Sequence, residues 1–215
     1  MADELYYHGK ITKITDENYR VKTFFVDSKV DASPGQFVMV WVPGVGERPM
    51  SVAGVNPFQL SIASVGTVSS VIHEKKVGDK LFFRGPYGNS FNLRGKKIVL
   101  VGGGYGVAPM RFLAKEASKN GIAPTLIMGA RTKADLLHSL APSVCETILC
   151  TDDGSEGVKG FTTSVLEKLL NDGKFDAVYA CGPEGPLASR RVVHLRRALR
   201  GRQDLAVQDA GRVPV

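Results

Sequence analysis

The rhythm of hydrophobic residues changes once along this chain, near residue 95, and one kind of sheet cannot account for both halves. Upstream, short β-rich runs alternate with turns. Tyr19-Arg-Val-Lys-Thr-Phe-Phe-Val26 follows Asp-Glu-Asn, and Gln36-Phe-Val-Met-Val-Trp-Val42 follows the turn Ser33-Pro-Gly35. Gln59-Leu-Ser-Ile-Ala-Ser64 alternates cleanly, and Lys80-Leu-Phe-Phe83 lies between Val77-Gly-Asp79 and Gly85-Pro-Tyr-Gly88. Strands at this spacing predict an antiparallel sandwich or barrel. The helical exception is Val68–Lys75, read as a short crossover.

Downstream, Lys97-Ile-Val-Leu-Val101 is a continuous apolar run, as a strand buried on both faces requires. The pattern then predicts a helix over Met110–Asn120, a strand over Thr125–Met128 and a short helix over Lys133–His138. A strand over Glu146–Cys150, a helix over Thr162–Leu170 and a strand over Ala177–Ala180 follow. Such alternation implies a parallel sheet covered by helices on both faces. The boundary falls near Leu93-Arg-Gly95, which gives domains 1–94 and 95–200. Residues 201–215 are expected to form a disordered basic tail.

Length and composition narrow the function classes. The 215 residues suffice for two cores. No run of about 18 apolar residues predicts a membrane span, and Met1-Ala-Asp-Glu-Leu5 does not read as a secretory signal. Three cysteines, Cys145, Cys150 and Cys181, contain no C-x-x-C spacing and cannot all pair. They point to a reducing, cytoplasmic setting, and no metal site is expected. The formal charge of +7 would suit a nucleic-acid partner. Its location argues against one. Residues 1–184 carry 21 Lys and Arg against 19 Asp and Glu, a net of +2, whereas residues 185–215 carry 7 Arg against 2 Asp, a net of +5.

Three motifs carry chemistry. Gly102-Gly-Gly-Tyr-Gly-Val-Ala-Pro109 follows the buried strand directly. Glycines there let backbone approach a ligand, and the first N–H groups of the next helix would face a pyrophosphate. Proline stands where a standard dinucleotide fingerprint has its third glycine, and it suits a helix's first turn. Ala180-Cys-Gly-Pro183 ends the last strand, where open α/β sheets bind ligands. A small polarizable thiol there could touch a flat ring. Arg48-Pro-Met-Ser51, placed after a barrel strand, offers a guanidinium for phosphate and a hydroxyl nearby. Alone, Cys181 reads as a core cysteine and Arg48 as a surface arginine at a proline turn. Gly66-Thr-Val-Ser69 is a weaker, phosphate-facing helix start. His8, His73, His138 and His194 lie outside these motifs and read as structural or surface groups.

In order and spacing, these motifs together with Gly85-Pro-Tyr-Gly88 resemble the ferredoxin-NADP reductase superfamily. Within it, Arg48-Pro-Met-Ser51 and Asp152-Asp-Gly-Ser155 before Gly160-Phe-Thr-Thr163 resemble the electron-transfer subunits of dihydroorotate dehydrogenase, an enzyme of pyrimidine biosynthesis. The resemblance covers residues 5–184. It implies two domains, an antiparallel β-barrel that binds FAD followed by an α/β parallel-sheet domain that binds NAD. It further implies that Arg48 pairs with an FAD phosphate, that Ser51 hydrogen-bonds the isoalloxazine, that Met50 stands where many members have an aromatic on the flavin, and that Gly66, Thr67, Val68 and Ser69 hold the FAD pyrophosphate through backbone N–H groups, with Pro49 and Ser64 also among the FAD-binding residues. Gly103, Gly104, Gly106, Val107 and Ala108 would hold the NAD pyrophosphate, with Cys181, Gly182 and Pro183 near the nicotinamide. The implied activity is hydride transfer between NAD(H) and bound FAD, with NADH and a catalytic partner subunit as partners.

Asp152 and Asp153, after the third α/β strand, would accept a ribose 2′-OH and repel a 2′-phosphate, so NADH is expected over NADPH. Arg131 is the opposing feature. The same two domains occur in subunits of hydrogenases and of ferredoxin-linked NADP oxidoreductases, which the resemblance leaves open. A departure follows Cys181. The resembled subunits continue into a cysteine cluster that holds a [2Fe–2S] centre, and this chain has no cysteine after that point. Residues 1–184 use 15 Lys and 6 Arg, but 185–215 use 7 Arg and no Lys. A changed reading frame or an altered chain end after Glu184 would produce that switch. An ordinary final helix, with Val192, Leu195 and Leu199 on one stripe, is the plainer account.

Overall fold

A computed structural model describes residues 6–172, 175–182 and 206–209. The chain divides into two compact units between Phe91 and Asn92.

The first unit is a closed antiparallel barrel. Its strands are β1 (Tyr6–Asp16), β2 (Val21–Asp27), β3 (Phe37–Val42), β4 (Gly46–Gly54), β5 (Phe58–Ala63) and β6 (Lys80–Tyr87), in the order β1-β2-β5-β4-β3-β6. Closure gives every strand a neighbour on each side along part of its length. Period-two patterning sets the interior. On β3, Val38, Val40 and Val42 are buried while Trp41 is exposed. Phe58 and Phe83 stack inside, with ring centroids 4.9 Å apart. Helix α1 (Thr67–His73) crosses from β5 to β6 and buries Val68 and Ile72. It packs over β3 and β4.

β2 begins at Val21 rather than Tyr19. Asn18 Oδ1 accepts the N–H groups of Arg20 and Val21, both at 2.9 Å, and this side-chain turn holds the chain out of the ladder. Arg48–Ser51 lies within β4, not after a strand as expected. A proline normally argues against a strand interior. Here the stretch pairs with β3 throughout, Met39 opposite Pro49, and meets β5 only from Val52 onward. One side of Arg48–Ser51 is therefore an open edge, where a missing N–H costs no ladder bond. The Gly85-Pro-Tyr segment likewise continues β6, with Tyr87 opposite Phe37, instead of turning.

The second unit is a six-stranded sheet of order β10-β9-β8-β7-β11-β12, parallel at every pairing. Its elements are β7 (Lys97–Gly103), α2 (Val107–Lys119), β8 (Ala123–Ala130), β9 (Glu146–Thr151), β10 (Val158–Lys159), α3 (Thr162–Asp172), β11 (Ala177–Cys181) and β12 (Ala206–Asp209). Val99, Val101, Ile127 and Val178 form one core with Val165, Leu166 and Leu170 of α3. The alternate residues Ile98 and Leu100 are equally buried, as a sheet covered on both faces demands. α2 packs on β7 and β8.

Three expectations change in this unit. The boundary lies at Asn92, a few residues before the expected 94/95 division. The buried Tyr179 hydroxyl of β11 donates to Asn92 O at 2.8 Å and accepts the Arg94 N–H at 2.9 Å, which binds that segment to the α/β sheet. The expected helix at 133–138 is two short 3₁₀ turns, Lys133–Asp135 and His138–Leu140. Thr132 Oγ1 donates to Asp135 Oδ2 at 3.2 Å, and the Lys133 N–H is drawn to Ser155 Oγ at 2.7 Å. Within the tail expected to be disordered, Ala206–Asp209 instead forms β12. It runs parallel to β11 from Ala177 opposite Ala206 to Ala180 opposite Asp209. The backbone groups on the side of β11 away from β7 need partners, and a four-residue run supplies them without any strong strand pattern of its own. The predicted helix around Val192, Leu195 and Leu199 lies outside the described residues, as do the rest of the tail, Pro183 and His194.

Candidate cofactor sites

In the α/β unit the chain builds β7, β8, β9 and β10 in one direction, then returns to place β11 on the other side of β7. The strand order reverses between β7 and β11, which is where open α/β sheets bind ligands. Two of the sequence motifs meet there. Gly102 pairs with Cys181 across the strand ends. A Cβ on Gly106 would lie 2.5 Å from the Cys181 carbonyl oxygen and 2.8 Å from the Gly182 Cα. Gly104 has φ +52, in the left-handed region. The loop thus lies against the Cys181-Gly182 backbone at Gly106, which has no side chain to hold it away.

Val107 and Ala108 are buried and open α2. They can serve a ligand only through backbone N–H groups. No side chain caps this helix start and no acidic residue sits in its first turn. The turn therefore presents positive partial charge with no competing anion of its own, which fits a pyrophosphate. Gly103 is half-buried between Gly129 of β8 and Gly182.

The loops after β8 and β9 are joined. Asp152 N–H donates to Ala130 O at 3.0 Å, and Asp153 N–H to Arg131 O at 3.2 Å. The exposed Asp153 carboxylate accepts from Ser155 Oγ at 2.6 Å and Ser155 N at 2.9 Å. Those bonds hold it below the usual carboxylate range. Arg131, the group that favoured a 2′-phosphate, has Nη2 3.3 Å from Asp135 Oδ1.

The barrel unit holds the Arg48–Ser51 motif differently. Arg48 is exposed on β4 and donates Nη1 to Glu47 O at 2.9 Å. Ser51, Phe37 and Tyr87 stand in one row across β4, β3 and β6. Beside that row, Arg84 of β6 reaches over β3 to grip Glu47 of β4, at 2.7 and 3.1 Å. Arg84 Nη1 also donates to Tyr87 Oη at 3.0 Å. The Arg84 bonds lower the Glu47 carboxyl, and the same bonds raise the guanidinium. Pro49, Met50 and Ser51 are half-buried.

The Gly66–Ser69 turn is braced by a hydroxyl. Ser69 Oγ accepts the N–H groups of Val65 and Gly66, each at 3.0 Å, and donates to Gly66 O at 2.9 Å. This uses its full hydrogen-bonding capacity. The Gly66 N–H, expected to face a pyrophosphate, is engaged by Ser69. Thr67 is exposed, Val68 is buried against Gly46, and Ser64 Oγ lies 3.1 Å from Ser70 Oγ.

Sequence reasoning missed Glu47, Arg84, Thr151 and Glu156. Glu47, Arg84 and Thr151 are charged or polar residues at strand positions that apolar periodicity treats as surface, and Glu156 lies in the loop after β9. The described histidines have structural partners. His73 Nε2 lies 2.8 Å from Ile62 O, His8 stacks on Phe82, and His138 lies 3.4 Å from Glu156. Among the described residues, no helix is long and apolar enough to cross a membrane. Nor does any group of three or more His, Cys, Asp or Glu there suit a metal ion.

No family model matches the chain. It is 44% identical over 187 residues to a Methanocaldococcus jannaschii protein named "Probable dihydroorotate dehydrogenase B (NAD(+)), electron transfer subunit", covering 86% of this chain and 71% of that protein. A Thermococcus kodakarensis protein of the same name is 43% identical over 175 residues, covering 81% and 73%. Among solved structures, an NADH-dependent reduced ferredoxin-NADP oxidoreductase, studied for flavin-based electron bifurcation, superposes with a TM-score of 0.78 at 30% identity, covering 88% of this chain and 72% of that one. The ferredoxin reductase of carbazole 1,9a-dioxygenase shares the fold, with a TM-score of 0.80 at 22% identity over 97% of this chain and 70% of that one.

Proposed function

The chain belongs to the family of dihydroorotate dehydrogenase B electron transfer subunits, and from that premise we propose that it binds FAD on its barrel and NADH on its α/β sheet. In this reading it acts in the cytoplasm and passes electrons to a catalytic partner subunit. The two cofactors supply hydride transfer when bound. The residues of this chain bind, orient and shield them.

In the α/β unit the Gly103–Gly106 turn and the N–H groups of Val107 and Ala108 take the pyrophosphate. Cys181 and Gly182, held against Gly106, lie beside the nicotinamide ring. Pro183 continues that segment. Asp152 and Asp153 accept from the adenosine ribose, and a 2′-phosphate would meet their charge. On the barrel, Arg48 pairs with a flavin phosphate and Ser51 bonds the ring edge, with Pro49 and Met50 beside it. Thr67, Val68 and Ser69 offer the N–H groups that the Ser69 hydroxyl does not use, and Ser64 borders them. No side chain is assigned as acid or base, because the transfer needs none.

Cys145, Cys150 and Cys181 are the chain's three cysteines. Cys150 is buried in the α/β core and Cys181 lies at the end of β11. They do not make a [2Fe–2S] ligand set, and no step is assigned to such a centre.

The single observation that carries the reading is the approach of Gly106 to the Cys181 carbonyl at the point where strand order reverses. Anaerobic titration of the FAD-loaded protein with NADH tests it. Bleaching of the flavin absorbance is expected. A colourless protein that takes up no FAD, and binds DNA with a steep salt dependence, would sink it.

A further inference from the structure

The loop after β8 carries three groups that can be cationic, and each faces a carboxylate. Arg131 meets Asp135. Lys133 Nζ lies 3.4 Å from one oxygen of Glu156, and His138 Nε2 lies 3.4 Å from the other. One acidic residue on the loop after β9 thus faces a lysine and a histidine on the loop after β8.

Glu156 is held there by construction. The fully buried Thr151 hydroxyl accepts the Glu156 N–H at 3.1 Å and donates to Glu156 O at 2.8 Å. The Lys133 N–H bonds Ser155 Oγ, so both loops are tied together beside the ion pair. In dinucleotide folds the end of the second strand meets the adenosine ribose. A carboxylate there takes a 2′-OH, and an available cation takes a 2′-phosphate. Lys133 stands three residues beyond the end of β8, and lysine binds phosphate as a point charge.

We propose that Glu156 is a positioning residue for cofactor choice: by pairing with Lys133 it withholds the cation that a 2′-phosphate would need, and so favours NADH over NADPH. The proposal rests on the nucleotide site described above and extends it. Asp152 and Asp153 act on the ribose directly, whereas Glu156 acts through Lys133.

The test compares binding of adenosine 5′-monophosphate and adenosine 2′,5′-bisphosphate to the full chain by calorimetry. These ligands differ only in the 2′-phosphate. Glu156→Gln is expected to raise affinity for the bisphosphate about fivefold, the scale of one exposed charge pair, and to leave the monophosphate within about twofold. Adding Lys133→Met should remove the gain. A purely structural role would move both ligands together, and that result, or no selective gain, overturns the proposal. Lys133→Met alone decides the matter if Glu156→Gln does not fold. A bisphosphate affinity within about twofold of native supports a lysine already withheld. A fivefold loss shows it available and overturns the idea. A native protein that binds neither nucleotide overturns both this proposal and the nucleotide site beneath it.

Discussion

The two proposed cofactor sites are built from opposite materials. The α/β site is mostly backbone: a glycine turn, the first N–H groups of α2, and the Cys181-Gly182 peptide, pressed together with no side chain between them. The barrel site is mostly side chain: Arg48 and Ser51 on a stretch of β4 with one open edge, steadied by the Glu47–Arg84 ion pair. A backbone site fails when atoms are added to it, because nothing in it can move aside. A side-chain site fails when atoms are removed, and then only in part.

The largest effect should come from the smallest addition. Gly106→Ala would put a methyl group 2.5 Å from the Cys181 carbonyl oxygen, so the turn or the end of β11 must shift. A displacement of about 1 Å can cost about 100-fold in rate, and overpacking costs about 1–3 kcal/mol of stability. NADH-driven flavin reduction should fall on that scale while FAD content stays native. Loss of FAD along with NADH reduction would show that the contrast between the sites is wrong.

Next in size is Tyr179→Phe. The change removes a buried hydroxyl and leaves Asn92 O and the Arg94 N–H without it. A cost of about 1–3 kcal/mol is expected. Denaturant unfolding followed by signals from each unit should show the loss in the α/β unit. An equal loss in the barrel would mean that the segment from Asn92 does not belong where the sheet binds it.

How far the sequence discloses each site follows from the same contrast. The glycine turn and Cys181-Gly182 are legible because a backbone site writes itself in residue types, glycine above all, and in position after a buried strand. The parallel sheet is legible for a related reason, since its strands are continuous apolar runs. The barrel site is less so. Arg48–Ser51 reads as a turn because Pro49 looks wrong for a strand, and only pairing on one side explains why it is tolerated. Glu47 and Arg84 are 37 positions apart and meet across an intervening strand, a relation no local pattern carries. Asn18 and Ser69 act through side-chain bonds to nearby backbone, which shift element ends by a residue or two. β12 depends on the edge of β11 rather than on its own sequence.

The Glu47–Arg84 pair makes the barrel side of the contrast measurable by pH. The folded Glu47 pKa is lowered, mainly by its hydrogen bond to Arg84. Its contribution is therefore full above the ordinary glutamate value of about 4.3, and is lost as pH falls through the lowered folded value. Both side chains are partly solvated, so the contribution is no more than about 1 kcal/mol after screening. Thermal melts should show Glu47→Gln less stable than native at neutral pH, with the gap closing as the buffer becomes acidic. FAD affinity should fall a few-fold, and NADH-site affinity should not change. A gap that widens in acid would reverse the sign and remove the ion pair from the account.

The smallest effect is expected at the one part of the α/β site that is side chain. Asp153 is solvent-exposed, and its Ser155 bonds keep it ionised to lower pH than an ordinary aspartate. Asp153→Asn keeps the size and one acceptor but removes the charge. If the backbone dominates binding there, NADH affinity should change by less than about threefold, because a ribose hydroxyl can still donate to the amide oxygen. NADPH affinity should rise by a similar factor, because an exposed repulsion is weak. Competition between the two nucleotides in flavin reduction reads this ratio directly. Asp153 itself stays ionised from pH 8 to about pH 5, so any change of that ratio over the window belongs to the 2′-phosphate, whose second pKa is about 6. A loss of NADH binding as large as that of Gly106→Ala would make Asp153 a principal anchor. The α/β site would then depend on side chains as much as the barrel does.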